Sequence, residues 1–307
     1  MNASRAPRSP LRLLAACAML LPHLTLARAA GDLDGITAVV SRVSDDYVRA
    51  KLPDGSIQPE FYAFGEGGQW GGDISDATFD RLHFMDVARA IAEPLAGRKY
   101  LPARDPAKTR LLIMVYWGTT AVPMRPEENP LYANYQQSLA EYKMLISVDE
   151  GAADAVLSSG LTQLAMANRE TDRIDCKNAA ILGYESTGLI GTDYGKYIAH
   201  TALGVDQRDQ VAEIEENRYF VVLMAYDFQL MWRERKHKLL WETRFSVSER
   251  HNQFDKALPA MAQYASRYFG QASNGLLRTR VPEGAVEVGE PRSLGEVEAP
   301  GKQGFRP

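Results

Sequence analysis

"VVLMAYDFQLMWRERKHKLLWETRFSVS", Val221–Ser248, is the stretch that decides the fold. From Val222 to Trp232 one set of alternate positions holds Val222, Met224, Tyr226, Phe228, Leu230 and Trp232. The other set holds Leu223, Ala225, Asp227, Gln229 and Met231. Period two with one fully apolar face predicts a strand lying on a core. "RERKHK", Arg233–Lys238, then turns the chain. Beyond it Leu239, Trp241, Thr243, Phe245 and Val247 alternate with Leu240, Glu242, Arg244 and Ser246, which predicts the partner strand of a hairpin.

Downstream, Phe254, Leu258, Met261, Ala265 and Tyr268 make a helical stripe that Gly270 stops, and Pro259 places the regular start of that helix near itself. From Gln271 to Pro307 no apolar periodicity survives, and the segment reads as a flexible or wrapping tail. Upstream, Leu111–Tyr116 is a continuous apolar run, the mark of a strand buried on both faces. Before it, "SDATFDRLHFMDVARAIAEPLAG" carries Phe84, Val87, Ala88, Ile91 and Leu95 at helical spacing. Phe61–Phe64 is a short aromatic strand, and Ile36–Val48 reads as strand or short helix. Residues 121–216 break this alternation and read as a mainly helical insertion. The sum is an α+β fold, a mostly antiparallel sheet covered by helices on one face. Residues 30–120 form its first half and residues 217–270 its closing hairpin and helix.

Short motifs sit at matching places. A helix ends at Leu95 with Tyr100 five residues on, and an apolar strand runs from Leu111 to Tyr116. A hairpin carries Asp227 in its first strand and Trp241 early in its second, and the helix from Phe254 follows. In these respects the chain resembles a class of bacterial envelope proteins of unknown function, often lipoproteins, over about half its mature length. It departs from them in having Thr109-Arg110 where Ala-Asp is common before the apolar strand, and in its long insertion. The resemblance implies an envelope location and a fold, and no reaction.

The N-terminus agrees with export. Arg5, Arg8 and Arg12 precede an apolar run from Leu13 to Leu21, and the segment closes on Ala27-Arg28-Ala29. Basic region, short apolar region and A-x-A site are the parts of a secretory signal peptide over residues 1–29, too short to span a bilayer. Leu14-Ala15-Ala16-Cys17 also resembles a lipobox, which would anchor the chain by a lipid on Cys17. The apolar run continues past Cys17, which favours the cleaved signal. Cleavage after Ala29 leaves 31 basic against 39 acidic residues and a single cysteine, Cys176. That balance argues against nucleic acid as a partner and against binding by charge to anionic lipid, and a lone cysteine in an apolar helical context reads as a small buried side chain.

Catalytic signatures are sparse. "FYAFGEGGQWGGD", Phe61–Asp73, resembles a phosphate cradle, but Trp70 stands where a dinucleotide loop needs its third glycine, and no Lys or Arg lies between Lys51 and Arg81. It reads instead as a wide glycine turn. A binding role survives there: Trp70 stacks on a sugar or peptide, with Glu66 and Asp73 beside it. The histidines His83, His200, His237 and His251 lack metal-ligand spacing, and no G-x-S-x-G is present. The expectation is therefore an exported protein, not an enzyme, that needs no cofactor or metal and acts through contacts with an envelope protein partner. The alternative is a secreted hydrolase, or a sugar- or small-ligand-binding protein, with a cleft between sheet and insertion. A pocket joining Trp70, Trp117 and carboxylates or His83 would mark that alternative. The basic "RERKHK" tip is either a solvated turn or a contact point for an acidic partner or membrane headgroups.

Overall fold

The computed structural model describes residues 35–72, 77–184 and 205–280. The signal-like residues 1–29, Cys17, Asp73 and the tail beyond Arg280 lie outside them. The decisive hairpin sits inside a seven-stranded sheet. Its strands are β5 (Arg218–Asp227) and β6 (Leu239–Ser248), antiparallel, with Val221 opposite Phe245. On one side β1 (Ile36–Val43) pairs antiparallel with β6, and β7 (Leu277–Arg280) pairs antiparallel with β1. On the other, β4 (Leu111–Thr119) pairs antiparallel with β5 and parallel with β2 (Glu60–Trp70), and β3 (Tyr100–Pro102) pairs parallel with β2. The order is β3-β2-β4-β5-β6-β1-β7. The α+β class is as expected, with a parallel margin supplied by the β2–helix–β3 unit.

Helices cover both faces rather than one. On the first face lie α1 (Ala77–Asp80), α2 (Phe84–Gly97) and α7 (Phe254–Ala265). Their Phe79, Val87, Ile91, Leu95, Phe254, Leu258 and Met261 close on Val39, Ile113, Val115, Val221, Leu223 and Phe245. Trp241 stacks on Phe269 at 6.0 Å and tilts against Tyr100 at 5.7 Å. On the second face the insertion returns. After α3 (Pro130–Leu145) and the 33-residue α4 (Glu150–Leu182), followed by α5 (Val205–Glu215), Ala179, Ile181, Leu182, Tyr184 and Ile214 pack on Ala38, Val40, Phe220 and Val222. A one-faced sheet was expected because the insertion's apolar pattern is weak. Only the C-terminal quarter of α4 meets the sheet, while its earlier turns pair with α3, where Gly160 lets Ser138 approach closely.

Several local expectations are corrected. The strand read to Trp232 ends at Asp227, whose Oδ1 accepts from the Leu230 N–H at 2.9 Å and caps a short helix, α6 (Phe228–Glu234). Phe228 and Trp232 suit either period, and as i and i+4 neighbours they stack at 5.8 Å. The single helix expected around His83 is broken there. His83 is extended, and its N–H donates to the Asp86 carboxylate at 3.2 Å to start α2. Helix α7 begins at Phe254 and runs through Pro259. The tail expected from Gln271 begins instead with Leu277–Arg280 as an edge strand on β1. Cys176 is exposed, because α4 turns Asp175, Asn178 and Ala179 inward instead.

Candidate functional site

The glycine stretch is not a turn. It is the second half of β2, paired with β4 as far as Trp70 opposite Gly118. Glycine is required by the neighbouring strand. A Cβ at Gly67 would stand 2.6 Å from the Tyr116 ring, and one at Gly65 would collide with the Met114 sulfur. The bare backbone lets Met114 and Tyr116 lie across β2. Between Glu66 and Gly68 the register slips by one residue. A bulge of this kind turns every later side chain to the other face. Glu66 pairs with Val115, a first-face residue, whereas Trp70 follows the slip onto the second face with Tyr116. Glu66 and Trp70 are thus not brought together. Trp117 and His83 do not join Trp70 either: Trp117 is sealed in the first-face core, and His83 caps α2.

What Trp70 does join is a cleft. Its indole meets Tyr116 edge-on, centroids 6.3 Å apart at 81°, and is 45% exposed. The sheet contributes Phe220, Val222 and Met224; the end of α4 contributes Lys177, Ala180 and Ile181; Arg244 completes the wall. The cavity is about 390 Å³ and mainly apolar. It therefore lies between sheet and insertion, where the sequence placed a cleft, but carries cations where carboxylates were expected.

Arg244 fixes the α4 end over the sheet. Its Nη1 donates to the Ala180 and Ile181 carbonyls, each at 3.0 Å, and Nη2 donates to Glu242 at 3.2 Å. Arg42 does the same from β1, donating to Glu242 at 3.4 Å and to the Gly183 carbonyl at 3.3 Å. Two guanidinium groups on the last carbonyls of a long helix oppose its negative end. Gly183 is left-handed, φ 78°, and a Cβ there would stand 2.6 Å from Arg244 Cδ. The helix can end under the arginine only because that residue is glycine. Arg244 Nε is buried and finds no acceptor.

Two buried polar networks lie outside the cleft. At one end of the sheet Tyr47 Oη donates to Glu60 at 2.5 Å and lies 3.2 Å from Tyr100 Oη, while Arg110 meets Glu60 at 3.5 Å and Arg49 sits over the Tyr100 ring. Burial raises the Tyr47 pKa and pushes Tyr100 up to about 12, so both phenols stay protonated at neutral pH. On the second face Tyr184 and Arg278 hold buried Glu213, and buried Arg218 pairs with Glu216 and donates to Ser246. Burial raises the Glu216 pKa. Each network ties chain segments together, although Glu60 Oε1, Arg49 Nε and Arg278 Nη2 are buried in them without a hydrogen bond. Among the described residues no cluster of three or more His, Cys, Asp or Glu is placed to hold a metal ion, and no helix is long and apolar enough to cross a membrane.

No family model and no curated protein matches the chain. Among solved structures it is similar to a crystal structure described as a PDZ domain protein from Parabacteroides distasonis ATCC 8503, at 11% identity and a TM-score of 0.34. The match covers 79% of this chain and 38% of that one. Likeness at that level transfers neither fold nor function.

The sequence singled out Trp70 but missed the rest of the cleft. Tyr116, Val222 and Met224 read as strand residues, Phe220 was not singled out, and Arg244 read only as an alternate position of the hairpin's second strand. The available signal was Arg244 itself, a cation within an otherwise buried strand.

Proposed function

We propose that the protein is an exported, non-enzymatic binding protein of the bacterial cell envelope, and that the cleft beside Trp70 takes a small amphipathic ligand with an apolar body and an acidic head. The observation that carries the ligand class is the composition of that cleft: an aromatic and aliphatic wall with Lys177 and Arg244 as its charged members. About 390 Å³ lies within the range of small-molecule sites, which are mostly apolar with a few polar groups that fix orientation. Export rests on the signal-like residues 1–29, and the envelope on the resemblance in sequence. Titrating decanoate and decanol against the protein by calorimetry tests the reading. Decanoate binds about tenfold tighter than decanol, and Lys177→Gln removes most of that preference, as expected for one charge-assisted contact. Equal, negligible heats for both would sink it.

A second reading, protein–protein contact, is favoured by the α3–α4 hairpin. Helix α3 has no fully buried residue, and Met144, Ile146, Val148, Leu161 and Met166 on or between these helices are exposed. Exposed apolar side chains gathered on one hairpin suit a partner surface. Crosslinking in intact cells, with Val148→Asp as control, tests it: one dominant partner lost in the variant supports the contact, and no partner above background removes it.

A further inference from the structure

One end of the sheet is basic and carries exposed apolar side chains. Leu111 lies opposite both Tyr62 and Asp227, and Val43 lies opposite Trp241. The connections 44–60, 98–110 and 227–238 therefore gather at the same end. They hold eleven Lys and Arg against seven Asp and Glu, a net +4 in a chain whose formal charge is −4. Of the acids, Glu60 is buried against Arg110, and Asp227 is engaged as the α6 cap. The opposite end mixes its charges: Glu127, Glu128, Glu215, Glu216 and Glu249 stand with Arg125, Arg218, Arg250 and Arg280.

The apolar groups stand among the cations. Trp232 is 63% exposed, and Phe228, Met231 and Arg235 share with it a shallow hollow of about 420 Å³. Val48, 76% exposed, and Leu52 project from the 44–60 connection. Arg233, Arg235 and Lys236 are exposed around Trp232, Lys236 beside Glu234 at 2.9 Å, and Lys238 pairs with Asp46 across the two connections.

We propose that this end docks on an anionic lipid surface, with Trp232 and Met231 entering the interface and Arg233, Arg235 and Lys236 meeting the headgroups. Indole beside long cationic side chains matches the chemistry of the water–bilayer boundary, where the aromatic ring sits at headgroup level and each nearby Lys or Arg raises partitioning about fivefold. The apolar groups stand on the tips of two separate connections, as a planar surface requires. The chain's negative total charge does not oppose this docking, because at physiological salt charges beyond about 8 Å are largely screened and only the near end counts. The proposal is independent of the ligand cleft: Trp70 lies opposite Gly118, toward the other end of the strands.

Flotation of the full chain with phosphatidylcholine vesicles, with and without about 30% phosphatidylglycerol at about 0.1 M salt, tests it. The protein floats with the anionic vesicles and not with the neutral ones. Trp232→Ala and the double variant R233E/R235E each lower the partition coefficient at least about tenfold, with unchanged circular dichroism and melting temperature. Three results overturn the proposal. The first is equal flotation of wild type and variants, which would place membrane contact in the N-terminal apolar segment. The second is no flotation with either vesicle. The third is retention on polyglutamate resin without vesicle binding, which would assign the end to an acidic protein.

Discussion

The two faces of one sheet are built on different terms. The first is covered by α2 and α7, and its aliphatic and aromatic side chains are buried in one large cluster. Among the described residues the second is covered only in part. The end of α4 and α5 close over β1 and β5 through a smaller apolar cluster, and Arg42 and Arg244 do much of the fastening. Beside that fastening Tyr116 and Met224 stay half-buried, and the cleft opens. Apolar burial is non-directional and fills space, whereas guanidinium groups hold a helix end at a fixed place without filling the volume beside it. The first face is where stability resides; the second is where the chain can afford a site.

The largest effect should come from breaking the first face. Trp241→Ala removes an indole packed between Tyr100 and Phe269, and should cost about 3–5 kcal/mol in a urea titration. A loss below about 1 kcal/mol would mean the two faces share the load equally. The same face sets an alkaline limit. Burial pushes Tyr62 and Tyr100 up to about 12, against about 10 in an unfolded chain. Between those values the unfolded state has released protons that the native state keeps, so stability is complete below pH 10 and falls as pH rises. Each tyrosine contributes a slope of about 1.4 kcal/mol per pH unit. Urea midpoints from pH 9 to 11.5 should fall steeply, and less steeply in Tyr62→Phe. Because the Tyr62 hydroxyl is buried without a partner, that variant should lose nothing at pH 7. A midpoint flat to pH 11.5 would contradict the argument.

The seam between the faces is sharpened by Gly118→Ala. A Cβ there would run into the Trp70 carbonyl, so β2 and β4 must part at their far end. Overpacking of this kind costs about 1–3 kcal/mol. It should also weaken decanoate binding, because Trp70 moves with its backbone.

What could be read from the chain follows the same division. Strand β4, the hairpin, and the stripes of α2 and α7 were legible because the first face writes period two and period 3.6 plainly. The choice of face for β5 was not: Val222 and Met224 looked like the core set, yet Val221, Leu223 and Ala225 face the larger core, since both sets are apolar. The second face was illegible because its cover is polar on most sides and meets the sheet over only a few turns. Glycines 65 and 67 looked like part of a turn because their reason lies in Met114 and Tyr116, on another strand. The bulge that separates Glu66 from Trp70 has no local signal apart from Gly68, whose φ of 124° only glycine takes easily.

The smallest stability effect should be the most informative. Trp70 is 45% exposed and makes one edge contact with Tyr116, so Trp70→Ala removes only about half of the area that a fully buried indole would lose and should lower stability by about 1–2 kcal/mol, well short of Trp241→Ala. If the second face is a site, the same change should weaken decanoate binding about tenfold, because the indole forms one wall of the cleft. Set beside Trp241→Ala, the two tryptophans then divide: one change costs mainly stability, the other mainly binding. Should Trp70→Ala cost as much stability as Trp241→Ala, Trp70 would belong to the packing of the molecule. The second face would then be an imperfectly closed core rather than a place where a ligand sits.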